Sequence, residues 1–308
     1  MAGRITAEDG RVRVREALDW GSLGPLRLRS RAAAEGTYAG AHRSARKGAG
    51  IEFGGHREYV PGDDLRWLDR HSLLRHDRLL VRQFETETDR AVRLVVDATK
   101  SMGYRGKRAP GSKLAWSAVV AAALARVAIS SGDPVGLTFI GGRHDARGAP
   151  VAGGRESLER ILDELEGQRA EGDAFADARL LEQSLAHVAR TSRRGSMIVL
   201  FSDLLDLPDR SVDAVAALGA RGRVLCVVQV LDRDEVEFPF DESVRLKSLE
   251  GDVVVETDAE ARVHYLARLA ELEHAWRSAL VARGARFVSL DTSSDPGRGV
   301  RRVVEAMR

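Results

Sequence analysis

Short apolar segments rich in β-branched residues alternate with longer segments of helical periodicity from about residue 91 onward. This alternation predicts strands connected by helices, and hence a mostly parallel sheet with helices on its faces. The predicted strands are residues 92–96, 134–140, 196–201, 224–230 and 286–290. The predicted helices are residues 113–131, 157–165, 176–189, a segment after Pro208, 258–283 and 299–307. We therefore predict an α/β, Rossmann-like fold for residues 91–308.

Two predicted helices carry an apolar stripe at a spacing of three to four residues. The stripes are formed by Leu114, Ala118, Ala121 and Ala125, and by Tyr265, Leu269, Leu272, Trp276 and Ala279. Such a stripe is typical of a helix that packs one face on a core, and we interpret the second one as a packing surface rather than a cofactor site.

The regular alternation is interrupted between residues 231 and 257. Two runs of alternating polarity, residues 243–249 and 252–256, are joined by Glu250-Gly251, which predicts a β-hairpin. We therefore expect a hairpin insertion near residues 232–257.

Residues 1–90 have a different pattern. A polar opening is followed by an Arg-rich segment near residues 23–36 that predicts a helix. A Gly-rich stretch at residues 48–55 and a strand-like segment at residues 79–86 come next. We predict a separate small N-terminal module that contains β structure.

Composition and charge exclude several classes of protein. The 308 residues are 44% hydrophobic and 31% charged, with a net charge of +2, which is typical of a soluble globular protein. Residues 26–50 are locally basic, but Tyr38 is their only aromatic residue, so a nucleic-acid-binding surface is not favoured. The longest apolar run, residues 116–129, is too short to span a membrane and contains Arg126.

The expected location is the cytoplasm. Residues 1–18 have no apolar signal-peptide core. Cys226 is the only cysteine, lies within a predicted buried strand and cannot form an internal disulfide, which fits a reducing compartment.

Three oxygen-bearing side chains, Asp97, Thr99 and Ser101, follow the first predicted strand at alternate positions, and Asp203 follows a later strand. Parallel strands end at the same edge of a sheet, where ligands bind in such folds. Carboxylate and hydroxyl oxygens suit Mg²⁺ or Mn²⁺. We therefore predict a metal site on a solvent-facing loop at this edge. The alternative is that Asp97 and Ser101 only cap the helix that follows.

The segment Val95-Val96-Asp97-Ala98-Thr99-Lys100-Ser101-Met102 resembles the metal-ion-dependent adhesion site of von Willebrand factor A domains, and Phe201-Ser202-Asp203 resembles its second aspartate segment. Upstream segments are similar to bacterial domain-of-unknown-function family 58, whose members join such a segment to an A-type domain. The segments are 40–44, 52–59, 61–69 and 77–85, with Phe238-Pro239-Phe240 and Leu290-Asp291-Thr292 farther along.

The resemblance implies a von Willebrand A-like domain that binds another protein and catalyses no reaction. In such domains two hydroxyls ligate Mg²⁺ directly, carboxylates such as Asp97 and Asp203 act through water, and a Glu or Asp of the partner completes the shell. It also implies a cytoplasmic protein that works with a MoxR-type AAA+ ATPase in assembling protein complexes.

Two departures from the adhesion-site pattern predict a degenerate site with weak Mg²⁺ binding and low occupancy. The family's Gly-Gly-Thr loop reads Glu171-Gly172-Asp173-Ala174-Phe175 here, so that only Asp173 could replace the threonine. Lys100 also puts an ammonium within the metal loop, where it would compete with a cation.

An enzyme is the alternative function. Residues 56–77 contain His56, Glu58, Asp63, Asp64, Asp69, His71, His76 and Asp77, which could form a metal-dependent hydrolase site. No pair has a recognised ligand spacing, and the interleaved arginines favour a salt-bridged interface instead. The chain also lacks the Gly-x-x-x-x-Gly-Lys-Ser/Thr loop of nucleotide hydrolases.

Overall fold

The structure is a computed structural model. It describes residues 14–17, 20–23, 52–59, 80–85, 91–142, 148–172, 178–205, 207, 211–240, 245–247, 254–256 and 259–307.

The described strands and helices follow the predicted alternation. The strands are β1 (Glu52–Glu58), β2 (Leu80–Glu85), β3 (Val92–Ala98), β4 (Val135–Gly141), β5 (Ala149–Ala152), β6 (Met197–Ser202), β7 (Val224–Leu231), β8 (Arg245–Lys247), β9 (Val254–Glu256) and β10 (Arg286–Asp291). The helices are α1 (Lys113–Ser130), α2 (Gly154–Gly167), α3 (Ala178–Thr191), α4 (Ser211–Leu218), α5 (Arg233–Glu237), α6 (Ala259–Val281) and α7 (Pro296–Ala306).

Six of these strands form one sheet in the order β10-β7-β6-β3-β4-β5. All neighbours are parallel except β5, which runs antiparallel to β4 at one edge. Numbered along the chain within this sheet, the order is 3-2-1-4-5-6, that of a doubly wound α/β fold. The predicted fold class, an α/β fold with a mostly parallel sheet flanked by helices, is confirmed. The order reverses between β3 and β6, so this is where a ligand-binding crevice is expected.

Alternate residues of the central strands pack on opposite faces of the sheet. In β3, Leu94 and Val96 belong to one hydrophobic cluster together with residues of α1, α2 and α7. Val95 belongs to a second cluster together with residues of α3, α4 and α6. Because both faces are covered, the central strands are continuous apolar runs.

Helix α1 is buried on all sides rather than along one stripe. It packs against β3, α2 and α7, and Trp116 is fully buried. Within the described part of the chain, α1 is the one helix whose length and apolar composition would suffice to cross a membrane, and 83% of it is buried inside the protein. The predicted stripe of leucine and alanine is therefore only part of its packing surface.

The chain divides into two compact units. One unit is residues 34–89, in which β1 and β2 pair antiparallel. The other combines residues 1–33 with 90–308, and Val14 lies in the core cluster of the sheet domain. The N-terminal module of residues 1–90 stays a prediction.

Two short strands and one short helix went unpredicted: β1 overlaps the Gly-rich stretch, β5 contains Pro150, and α5 precedes the hairpin. Strands β8 and β9 pair antiparallel inside the hairpin predicted near residues 232–257. The Arg-rich helix predicted near residues 23–36 lies outside the described residues, apart from Leu23.

Cys226 in β7 gives a test of the packing. The thiol is fully buried, and burial raises its pKa to about 12. The reactive thiolate is therefore scarce and inaccessible in the folded protein. We expect no reaction with Ellman's reagent at neutral pH in the native state and one thiol per chain in denaturant. Native-state reaction as fast as that of a free thiol would contradict the β7 packing.

Candidate functional site

Asp97 lies within β3, one residue before the strand ends, and is only 1% exposed. Its Oδ1 accepts hydrogen bonds from the Thr99 N–H (3.0 Å) and the Thr99 hydroxyl (2.7 Å). Its Oδ2 accepts one from the Ser202 hydroxyl (2.6 Å). The expectation of a solvent-facing Asp97 is therefore wrong, because the strand continues through this residue and neighbouring loops cover it.

Thr99 and Ser101 are brought next to Asp97 by a 3₁₀ turn of residues Lys100–Gly103. Their hydroxyl oxygens lie 3.2 Å apart, and both residues are buried. The helix-capping alternative does not describe these residues. The N-cap of α1 is Ser112, whose hydroxyl accepts from the Ala115 N–H (3.2 Å).

The loop 168–172 closes over the turn through backbone hydrogen bonds. The Glu171 N–H donates to the Ala98 carbonyl (2.8 Å), and the Lys100 N–H donates to the Gly172 carbonyl (3.0 Å). These contacts explain why the oxygens of the turn are shielded from solvent.

The register of β3 and β6 separates the two predicted aspartates. Val96 pairs with Phe201, so Asp97 is level with Ser202. The alternation of strand side chains places Ser202 on the same face of the sheet as Asp97. Asp203 follows β6 and faces α1 instead, where it meets Lys113. Both aspartates thus lie at one edge of the sheet, but their carboxylates have different partners.

Lys113 begins α1 and is fully buried. Its Nζ lies 2.8 Å from Asp203 Oδ2 and 2.6 Å from Glu235 Oε1. Burial lowers the pKa of Lys113 but the charges of Asp203 and Glu235 outweigh it, so the pKa is raised above its usual value. The side chain is therefore a buried ammonium that links α1 to the end of β6 and to α5.

The acidic N-terminus of α5 anchors the loop before α1. Asp232 accepts hydrogen bonds from the Gly106 N–H (2.9 Å) and the Thr292 hydroxyl (3.0 Å). Asp234 accepts from the Lys107 N–H (3.0 Å) and forms an ion pair with Arg108 (3.0 Å). Strand β7 ends immediately before Asp232, so these contacts extend the same carboxyl edge.

The surroundings of Asp97 disfavour the ionised form of its carboxyl group. Burial raises its pKa to about 6, with a further contribution from the charge of Asp203, while the hydrogen bonds of Ser202 and Thr99 oppose the rise. Ionisation of Asp97 at neutral pH therefore reduces the stability of the folded state.

The donor set does not fit a divalent cation shared by Asp97 and Asp203. The hydroxyls of Thr99 and Ser101 are suitable ligands, but Asp203 is held by the ammonium of Lys113. Among the described residues, no group of three or more His, Cys, Asp or Glu side chains is arranged to hold a metal ion. Asp173 lies outside the described residues. Weak Mg²⁺ or Mn²⁺ binding stays a prediction from the sequence.

The ammonium that competes for an acidic ligand comes from an unexpected residue. Lys100, named from the sequence, is exposed, whereas Lys113 contacts Asp203 directly. Sequence reasoning also missed Ser202, Glu235 and Asp232. A usable signal existed for the last, because Asp232 ends an apolar strand just as Asp203 does.

The hydrolase alternative cannot be placed. Its residues 60–77 lie outside the described residues, and the described part includes only the backbone of His56 and the exposed residue Glu58 on β1.

The sequence profile of the family described as "Protein of unknown function DUF58" matches residues 55–275. The uncharacterized protein Rv1480 of Mycobacterium tuberculosis is 29% identical over 277 residues, which cover 89% of this chain and 85% of that protein. The uncharacterized protein Mb1516 of Mycobacterium bovis has the same identity and coverage.

Two solved structures are similar to part of this chain. The conserved hypothetical protein BatB from Bacteroides thetaiotaomicron has a TM-score of 0.43 and 16% identity, covering 71% of this chain and 98% of that one. A von Willebrand factor type A protein from Catenulispora acidiphila has a TM-score of 0.41 and 12% identity, covering 74% of this chain and 43% of that one.

Gly106 tests the anchoring of the loop. A Cβ at this position would lie 2.2 Å from Asp232 Oδ1 and 2.5 Å from Asp234 Oδ2. We expect Gly106→Ala to lower the free energy of unfolding by about 1–3 kcal/mol, measured by urea denaturation. Gly167→Ala is the matched control, because nothing lies within 4 Å of that Cβ. Equal stability of the two variants would contradict the anchoring.

Asp97 is tested by a pair of substitutions. Asp97→Ala leaves the buried Ser202 hydroxyl and the Thr99 N–H without their acceptor, which costs about 1–3 kcal/mol. Asp97→Asn keeps an acceptor and removes the unfavourable buried charge, so its stability at neutral pH should stay near that of the wild type. Thermal melts distinguish the two. An equal loss in both variants would show that the negative charge, not the hydrogen bonds, stabilises this edge.

Proposed function

We propose that this chain, which belongs to the DUF58 family, is a non-enzymatic protein-interaction module that binds its partner at the carboxyl edge of the sheet. The observation that carries the proposal is the convergence of Asp97, Thr99, Ser101 and Asp203 where the strand order reverses between β3 and β6. This is the position at which doubly wound folds bind ligands. We propose that these residues form the floor of a degenerate adhesion site.

The chemistry of the edge supports binding rather than catalysis. Thr99 and Ser202 both use their hydroxyls to hydrogen-bond the Asp97 carboxylate, and a buried acceptor of this kind is itself desolvated. A nucleophilic hydroxyl needs a base positioned by a third group. Here the hydroxyls of Thr99 and Ser202 bond Asp97, Ser101 lies beside Thr99, and the Asp203 carboxylate is paired with Lys113.

The charge around the floor supports an acidic partner. The loop that connects β3 to α1 carries four exposed basic side chains, which we call the basic loop: Lys100, Arg105, Lys107 and Arg108. This loop is anchored to Asp232 and Asp234 at the end of β7, so it borders the same edge. A cluster of exposed cations accelerates association with an acidic surface and favours it over a basic one.

We propose a MoxR-type AAA+ ATPase as the partner, with a Glu or Asp side chain meeting the basic loop in the cytoplasm. The family resemblance supports the class of partner, and the charge of the loop supports the acidic contact. No enzymatic role is required of the module, which would present or hold a protein for the ATPase.

The test is binding of the purified chain to a purified MoxR-type ATPase from the same bacterium, measured by biolayer interferometry. We expect Lys100→Glu/Lys107→Glu to weaken binding by about tenfold or more, because charge reversal slows association and repels the acidic surface. The effect should shrink as salt is raised.

The matched control is Arg155→Glu/Arg190→Glu, which changes the net charge equally. Arg155 lies in the first turn of α2, after the antiparallel strand β5, and Arg190 lies near the end of α3, before β6 begins. Both exposed residues therefore lie toward the opposite edge of the sheet. Equal weakening by the two double variants would contradict a partner site at the carboxyl edge. Absence of wild-type binding would reject the ATPase as partner.

A further inference from the structure

We propose that the ammonium of Lys113 takes the place of the divalent cation at the carboxyl edge, so that this edge is held together without metal. The Nζ atom lies between Asp203 and Glu235, at 2.8 Å and 2.6 Å from their carboxylate oxygens. The side chains of Lys113 and Asp203 are 1% and 2% exposed. The inference concerns cation use alone and holds whichever protein binds the edge.

The local chain does not favour a lysine at this position, which indicates that the carboxylates keep it there. Lys113 is the first residue of α1, where the helix dipole disfavours a positive charge. Complete burial of an ammonium is also costly unless it is paired and hydrogen-bonded. Two carboxylates at hydrogen-bond distance provide that pairing.

Hydrogen bonds that do not involve the ammonium hold Lys113 and its partners in place. The second oxygen of Glu235 accepts the Asp232 N–H (2.7 Å) in a capping box at the start of α5. The Lys113 N–H donates to the Tyr104 carbonyl (3.1 Å), and the ring centroid of Tyr104 lies 5.8 Å from Nζ. The Leu205 N–H likewise donates to Asp203 Oδ1 (3.1 Å), so each of the three side chains belongs to a residue with its own backbone hydrogen bond.

A metal ion would have to displace this ammonium to use Asp203. Displacement would leave a buried positive charge without its partner, which is strongly destabilising. Mg²⁺ would in addition have to give up water, which it does reluctantly. The remaining oxygens of Asp97, Thr99 and Ser101 already hydrogen-bond one another or Ser202. The balance of these effects favours the internal cation.

The first test uses the wild-type full chain. Its Tm is measured by differential scanning fluorimetry in EDTA and in millimolar MgCl₂, and Mn²⁺ binding is followed by electron paramagnetic resonance. We expect no difference in Tm and no bound Mn²⁺. A Tm rise or a Mn²⁺ signal that Asp203→Asn or Ser101→Ala abolishes would overturn the proposal. A signal that both variants keep comes from elsewhere on the surface and leaves the assignment supported.

The second test removes the ammonium. We expect Lys113→Met to lower the Tm in EDTA, because Asp203 and Glu235 are left as like charges without a cation. Either Mg²⁺ or the added substitution Asp203→Asn should then restore part of the loss. Lys100→Met, which removes an exposed lysine beside the turn, is the control and should leave the Tm unchanged. Failure of both Mg²⁺ and Asp203→Asn to raise the Tm of Lys113→Met would overturn the proposal. If Lys113→Met does not fold, the wild-type test decides alone.

Discussion

The ammonium of Lys113 connects three elements that are far apart in the chain: the start of α1, the end of β6 and the start of α5. Asp203 and Glu235 lie 90 and 122 residues beyond it. Without the positive charge, the carboxylates of Asp203 and Glu235 would repel each other at the carboxyl edge of the sheet. The basic loop, the 3₁₀ turn and the acidic helix α5 all depend on this arrangement, because each is attached to one of the elements that the ammonium joins.

The strand register gives the edge its second constraint. A parallel sheet brings the ends of β3 and β6 together, but side chains alternate between its two faces. Asp97 therefore shares a face with Ser202, whereas Asp203 faces α1. A one-residue difference in register would pair the aspartates on the same face. The strand register therefore determines the surroundings of the two carboxylates. Asp97 is hydrogen-bonded by hydroxyl groups, whereas Asp203 is ion-paired with Lys113.

Most of the sheet could be predicted because strands covered on both faces leave continuous apolar runs, as in β6 and β7. Strand β5 could not, because its four residues include Pro150, which is tolerated only at a sheet edge that sequence alone does not reveal. The convergence of Asp97, Thr99 and Ser101 followed from their spacing. The burial of Asp97 did not, because loop 168–172 covers it through long-range backbone contacts.

Lys113 was the least predictable part of the site. A lysine beside Ser112 at the start of a helix has the sequence appearance of an ordinary solvated residue, and lysine is rarely buried. Only the distant carboxylates distinguish it. The same reasoning applies to α1 as a whole, whose alanines gave a narrow stripe in sequence but are enclosed on every side once α2 and α7 are in place.

The enclosure of α1 has a consequence for biosynthesis. The indole N–H of Trp116 donates to the carbonyl of Ser294, 178 residues later, and Gly299 of α7 lies against the same ring. At ~5–20 residues per second, a ribosome needs on the order of 10–35 s to make the intervening chain. For that time the nascent polypeptide carries the long apolar helix α1 with one side uncovered. Chaperones that bind nascent chains therefore encounter α1 with an apolar side exposed, whereas α7 covers that side in the folded protein.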